Sequence, residues 1–172
     1  MATLETFRRQ KDAWFKSSSD SPLPYGDRET FTGIDYYPEN PALRLALPLE
    51  EFADQHPIIM TTSTGGTQEY LRWGQIHFAV DEQPATLTVY YASWGDYFVP
   101  FADATSATET YGAGRYLELR ELDDGSFLVD FNLAYNPYCA YSEEYSCPIP
   151  PAENRLTVPI RAGEKAYRSH ET

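Results

Sequence analysis

The sequence predicts a mainly β protein: an antiparallel β barrel or barrel-like sandwich with an N-terminal amphipathic helix. Three features carry that expectation. Residues 4–16 place Leu4, Phe7, Trp14 and Phe15 at helical spacing, interrupted by Lys11. After Asp20 the apolar period moves towards two. Short runs rich in Tyr, Phe, Thr and Val are then separated by Gly, Pro and Asp, as antiparallel strands require.

The helix ends in Ser17-Ser18-Ser19-Asp20-Ser21-Pro22, where short polar side chains compete for backbone hydrogen bonds and proline disfavours helix before it. The helix is expected to pack on the sheet. Strands are expected near 30–37, 42–47, 57–63, 68–80, 85–93, 96–101, 115–122, 126–133 and 156–161, with a helical turn over 49–54. An ordered, irregular Tyr- and Pro-rich segment over about 134–154 completes a single domain spanning 1–172.

Two hairpins can be registered. With Asp81 to Pro84 as the turn, Val80 faces Ala85, Phe78 faces Leu87, Ile76 faces Val89, and His77 lies opposite Thr88. Leu71 and Trp73 have the opposite parity from Ile76, Phe78 and Val80, so an extra residue is expected at Gly74 or Gln75. In the second hairpin Asp123-Asp124-Gly125 suits a three-residue loop. Leu119 then pairs with Val129 and Leu117 with Phe131, which sets Glu118 opposite Asp130.

The 172 residues include 26 acids against 13 Lys plus Arg, a net charge of −13, with 42% hydrophobic and 15% aromatic content. That is ample for a core, and the negative field with no basic cluster excludes nucleic acid as a natural partner. No stretch approaches the roughly 20 apolar residues of a spanning helix, and the first residues lack a secretory pattern. The expectation is a soluble, cytoplasmic protein without a membrane partner. The surplus of acid, with 10 Arg to 3 Lys, fits a halophile as well as it fits an ordinary acidic protein.

Candidate chemistry is sparse. Glu118 and Asp130 could act as a proton-sharing pair if they face a cavity, or be a solvated acid pair eased by Arg120. Arg115 lies at the end of an apolar face and must meet an acid or a carbonyl, with Glu109 the nearest acid in sequence. Gly112-Ala113-Gly114 reads as a tight turn into a strand rather than a phosphate loop. Cys139 and Cys147, seven residues between them, lack zinc-pair spacing and can be packed thiols, a disulfide or a reactive thiol. A zinc site combining them with His77 is conceivable, but His77 falls on the outer face, so no metal site is assigned. His56 precedes a proline and His170 lies in the tail, which leaves no catalytic triad.

Several stretches are unusual. Pro100-Phe101-Ala102-Asp103-Ala104-Thr105, Glu109 to Leu117, Asp130 to Tyr141, Cys147 to Asn154 and Ala162-Gly163-Glu164-Lys165 resemble a bacterial and archaeal family catalogued as domain of unknown function 1684. So does the start, with Lys11-Asp12-Ala13-Trp14-Phe15 and Ser21-Pro22-Leu23. The resemblance implies one domain and directs attention to 101–154; it assigns no catalytic residue and no cofactor.

The expected function is small-molecule binding in a pocket of the β domain, with Arg115, Asp130, Asn132, Tyr135, Asn136 and Tyr138 around it. An enzyme could use the same pocket through Glu118 with Asp130, or through Cys139. The Tyr-rich loop could alternatively be an assembly surface, which leaves a homo-oligomer open.

Overall fold

The described residues of the computed structural model are 3–167, so His170 lies outside them. Helix α1 spans Leu4–Ser17, started by the Thr3 hydroxyl, which accepts from the Thr6 amide at 3.1 Å, with Glu5 in the first turn and Lys16 in the last. A single-turn helix α2 covers Tyr25–Arg28. Eight strands follow: β1 Arg44–Leu47, β2 Glu50–Glu51, β3 Pro57–Thr61, β4 Thr67–Val80, β5 Gln83–Tyr91, β6 Tyr97–Phe101, β7 Arg115–Glu121 and β8 Phe127–Asp130. All pair antiparallel in the order β1-β8-β7-β6-β5-β4-β2, with β3 also on β4. The sheet curls into a half-barrel. Among the described residues no helix is long and apolar enough to cross a membrane.

Alternation divides the sheet into two faces. Ile76, Leu87, Val89, Val99, Phe101, Leu117 and Leu119 form the inner core with Phe127, Val129 and Phe131. Tyr70, Tyr90, Phe98 and Tyr116 form a second cluster on the opposite face, where Tyr135, Tyr138 and Tyr145 of the irregular segment lie against it. Phe15 of α1 packs into a third cluster with Leu23, Phe31, Ile34 and Tyr141. The helix therefore rests largely on loop segments, where direct packing on the sheet was expected.

The β4–β5 hairpin turns tighter than expected. Asp81 and Glu82 both adopt positive φ (49° and 69°), forming a two-residue turn, and the register is Val80↔Gln83, Phe78↔Ala85, Ile76↔Leu87 and His77↔Thr86. The two-residue shift keeps each side chain on its expected face but changes its partner. The predicted extra residue exists, and it is Trp73: Arg72 pairs with Tyr90 and Gly74 with Val89. Gly74 is where β2 crosses, and a Cβ there would lie 2.6 Å from the Glu50 carbonyl oxygen. The expected helical turn at 49–54 is instead β2.

Two expected strands are absent. Over 30–37 the Ile34 amide donates to Asp12 at 3.0 Å, the Tyr37 carbonyl accepts from Arg8 at 2.9 Å, and only Tyr36 makes a bridge, to Glu164. Over 156–161 Val158 and Ile160 point inward as alternation predicts. Leu156 and Val158 bond the Ala102 and Ala104 backbone, but Ile160 is held by side chains: its amide donates to Asp103 at 2.5 Å and its carbonyl accepts from Arg115 at 2.8 Å. Side chains thus satisfy the backbone groups that a strand neighbour would otherwise take.

The β7–β8 ladder follows the predicted register but contains only Arg120↔Leu128 and Glu121↔Phe127. β8 then continues along β1, and the Asp130 carboxylate caps the turn Phe131–Leu133 by accepting from the Asn132 amide at 3.0 Å. Tyr135 pairs with Tyr116 on β7 in its place, through bonds of 2.8 and 3.0 Å. Glu118 and Asp130 are accordingly not cross-strand partners. Asp130 is matched with Arg44, at 2.7 Å, and Glu118 with Phe98 on β6.

Candidate functional site

Covering the outer face of β7 with the irregular segment and α1 leaves a cavity of about 750 Å3. Phe7, Lys11, Trp14 and Phe15 enter it from one helix face. The segment following β8 contributes Leu133, Tyr135, Pro137, Tyr138 and Tyr145, and β7 contributes Tyr116 and Glu118. The volume is that of an ordinary ligand site, with aromatic walls and few polar groups.

Those polar groups are held in place. Tyr135 donates its hydroxyl to Glu118, 2.6 Å from Oε2. Glu118 keeps access to solvent through the cavity, yet the crowding walls raise its pKa, the Tyr135 hydrogen bond opposes that, and Asp96 adds to it. Lys11 lies over the Tyr135 ring at 5.1 Å and pairs with the buried Glu164. Glu164 also accepts from the Asn136 amide at 2.9 Å and from Tyr141 at 3.2 Å, so one buried carboxylate ties helix, loop and C-terminal segment together.

Cys139 and Cys147 are both thiols, and Cys147 lines the cavity. The Cys139 amide donates to Cys147 Sγ at 3.3 Å, and Tyr111 lies 3.8 Å from Cys139 Sγ. Hydrogen bonding from the Cys147 thiol, aided by Tyr111 and Ser63, lowers the Cys139 pKa to about 6. The same contact and burial push Cys147 up. His77 is elsewhere, 2.9 Å from Thr86, and no cluster of three His, Cys, Asp or Glu suited to a metal occurs among the described residues.

Of the six residues expected around a pocket, Tyr135 and Tyr138 line this cavity. Asn136 stands behind the wall, bonded to Glu164, Tyr141 and the Lys165 carbonyl. Asp130 and Asn132 bond to each other, and Asn132 also binds the Asn40 backbone. Arg115 is fully buried and gives its guanidinium to the carbonyls of Ile160, Ala162 and Glu164. Its acid partner is Asp103 at 3.6 Å, where Glu109 was expected; Glu109 instead bonds Arg161 and Tyr37. Sequence reasoning missed Phe7, Lys11, Trp14 and Leu133 as cavity residues. Lys11 carried a signal, being a cation set into an apolar helical stripe.

A curled antiparallel half-barrel whose outer face is roofed by a helix and an aromatic loop defines the class of fold; the cavity under that roof is matched in volume by an open groove of about 740 Å3 beside Tyr70, Tyr91 and Trp94. The chain belongs to the family described as protein of unknown function (DUF1684), which matches residues 29–165. It is similar to an uncharacterized protein from gene locus rrnAC0354 of Haloarcula marismortui, known from a solution NMR structure. Identity is 34%, the match covers 97% of this chain and 94% of that one, and the TM-score is 0.74. No curated protein matches.

Proposed function

We propose that the protein is a small-molecule receptor whose site is the cavity between α1, β7 and the Tyr-rich loop. The observation that carries this reading is the convergence of Lys11, Glu118 and the Tyr135 hydroxyl on one hollow of about 750 Å3 with otherwise aromatic and aliphatic walls. Such walls suit a ligand with a flat or apolar body, and Glu118 suits a hydrogen-bond donor on it. Tyr135 and Tyr138 would touch the ligand. Asn136 would act through Glu164 and Lys11, while Arg115, Asp130 and Asn132 would hold the surrounding frame.

The test uses an environment-sensitive apolar probe, 8-anilinonaphthalene-1-sulfonate, with native mass spectrometry to count bound molecules. One probe per chain is expected, and Leu133→Trp, which fills the cavity without removing a hydrogen bond, should weaken binding at least about tenfold. Absence of stoichiometric binding, or equal binding to the filled variant, refutes the receptor reading.

A further inference from the structure

A smaller hollow, of about 200 Å3, shares Tyr116, Glu118 and Tyr135 with the cavity under α1. Its walls are aromatic: Tyr70 of β4 stacks on Phe98 of β6 at 5.4 Å, and Trp94 meets Tyr70 edge-on at 5.9 Å. Tyr116 meets Phe98 edge-on at 4.9 Å and Tyr135 at 5.8 Å. The polar ends of these rings are already engaged. Tyr70 donates to Gln68, Trp94 to Asp96, Tyr116 to the Pro148 carbonyl and Tyr135 to Glu118. What remains for an occupant is ring surface, chiefly that of Trp94, since Tyr70, Phe98 and Tyr116 are buried against one another.

Two carboxylates, Asp96 and Glu118, also line this hollow, and no Lys, Arg or His does among the described residues. The cation acting on Glu118 is Lys11, which is held by Glu164. Asp96 and Glu118 therefore repel each other across a space that contains no compensating cation. Ring faces attract a cation through their quadrupole, and the attraction grows as water is displaced. A cation whose charge is spread over methyl groups needs no hydrogen-bond acceptors, which is the contact these rings offer.

We infer that the hollow bounded by Tyr70, Trp94, Phe98, Tyr116, Asp96 and Glu118 is a binding site for a quaternary alkylammonium group. The site takes a trimethylammonium head against the rings, with the two carboxylates supplying the long-range attraction. It shares Tyr116, Glu118 and Tyr135 with the cavity under α1, but Trp94 does not line that cavity and Trp14 does not line this hollow; Trp94 also borders the open groove beside Tyr91. Trp94 is 62% exposed, so its removal leaves the core intact.

The test is saturation-transfer NMR from the intact protein to the methyl protons of choline, beside its neutral carbon isostere 3,3-dimethyl-1-butanol, at constant ionic strength set with KCl. Choline should saturate at millimolar concentrations and the isostere should bind at least about tenfold more weakly. Trp94→Ala and Glu118→Gln should each weaken choline at least about tenfold, while Trp94→Ala leaves 8-anilinonaphthalene-1-sulfonate binding in the larger cavity unchanged. Equal transfer to choline and its isostere, no saturable transfer to choline, or full choline binding by Trp94→Ala overturns the inference. None of these outcomes bears on the larger cavity, whose probe is read separately.

Discussion

Tyr135 donates its hydroxyl to both oxygens of Glu118, at 2.6 and 2.9 Å, and so fastens the segment after β8 to the middle of β7. The bond exists because β8 leaves β7 after two ladder pairs and Tyr135 takes the vacated edge. It also fixes the carboxylate that both hollows share.

The Glu118 carboxylate costs stability when charged, since crowding raises its pKa above the ordinary value. Its native form holds the proton more tightly than the unfolded form, so its cost is full above the folded pKa and fades as pH falls through the unfolded value. Because Glu118 is open to solvent, screening leaves a small effect: Glu118→Gln should raise stability at pH 7 by a few tenths of a kcal/mol, with the gain vanishing in acid. Urea unfolding at the two pH values checks this; a loss of stability at pH 7 contradicts it.

Glu153 behaves in the opposite sense. It accepts from Arg72 at 2.7 Å, Thr88 at 2.9 Å and Tyr90 at 2.5 Å, and the Arg72 hydrogen bond is the leading reason its pKa falls to about 2. Its contribution is complete above the ordinary carboxylate range and is lost as pH falls towards about 2. After discounting for solvent screening, Glu153→Gln should cost about 1 kcal/mol at pH 7 and flatten the acid limb of the stability profile. An unchanged acid limb would count against the assignment.

Arg115 replaces a strand neighbour for residues 160–164, holding three of their carbonyls, while Asp103 takes the Ile160 amide. Arg115→Met leaves those carbonyls and Asp103 buried without a cation. The expected loss is about 3–5 kcal/mol. Arg115→Met combined with Asp103→Asn should recover part of it; thermal melts of the single and double variants measure the coupling.

The thiol pair should release its first proton at about pH 6, because the Cys139 thiolate accepts from Cys147 and Tyr111. Iodoacetamide alkylation, followed by mass spectrometry against pH, should label Cys139 first with a midpoint near that value. A midpoint at the ordinary thiol value of about 8.5 would refute it.

A net charge of −13 leads to a further expectation. If self-repulsion limits stability, raising KCl from low to molar concentration screens it and should lift the melting temperature by about 5 °C or more. A flat response would leave the acid surplus without a role in stability.

Local patterning determined the helix, seven of the strand positions and the face each strand residue takes, because periods of 3.6 and 2 are properties of the chain itself. It also required an extra residue within β4, since the parity changes along one strand, but put it at Gly74 or Gln75 where the structure has Trp73. Only the tertiary structure decided where extended chain becomes strand: residues 30–37 and 156–161 have the alternation but find side-chain partners such as Asp12, Arg8, Asp103 and Arg115. The same holds for the two hollows. Lys11, Glu118, Trp94 and Tyr135 are far apart in sequence, and their meeting depends on β8 peeling away to β1, which a local Asp130 cap permits and no periodicity encodes.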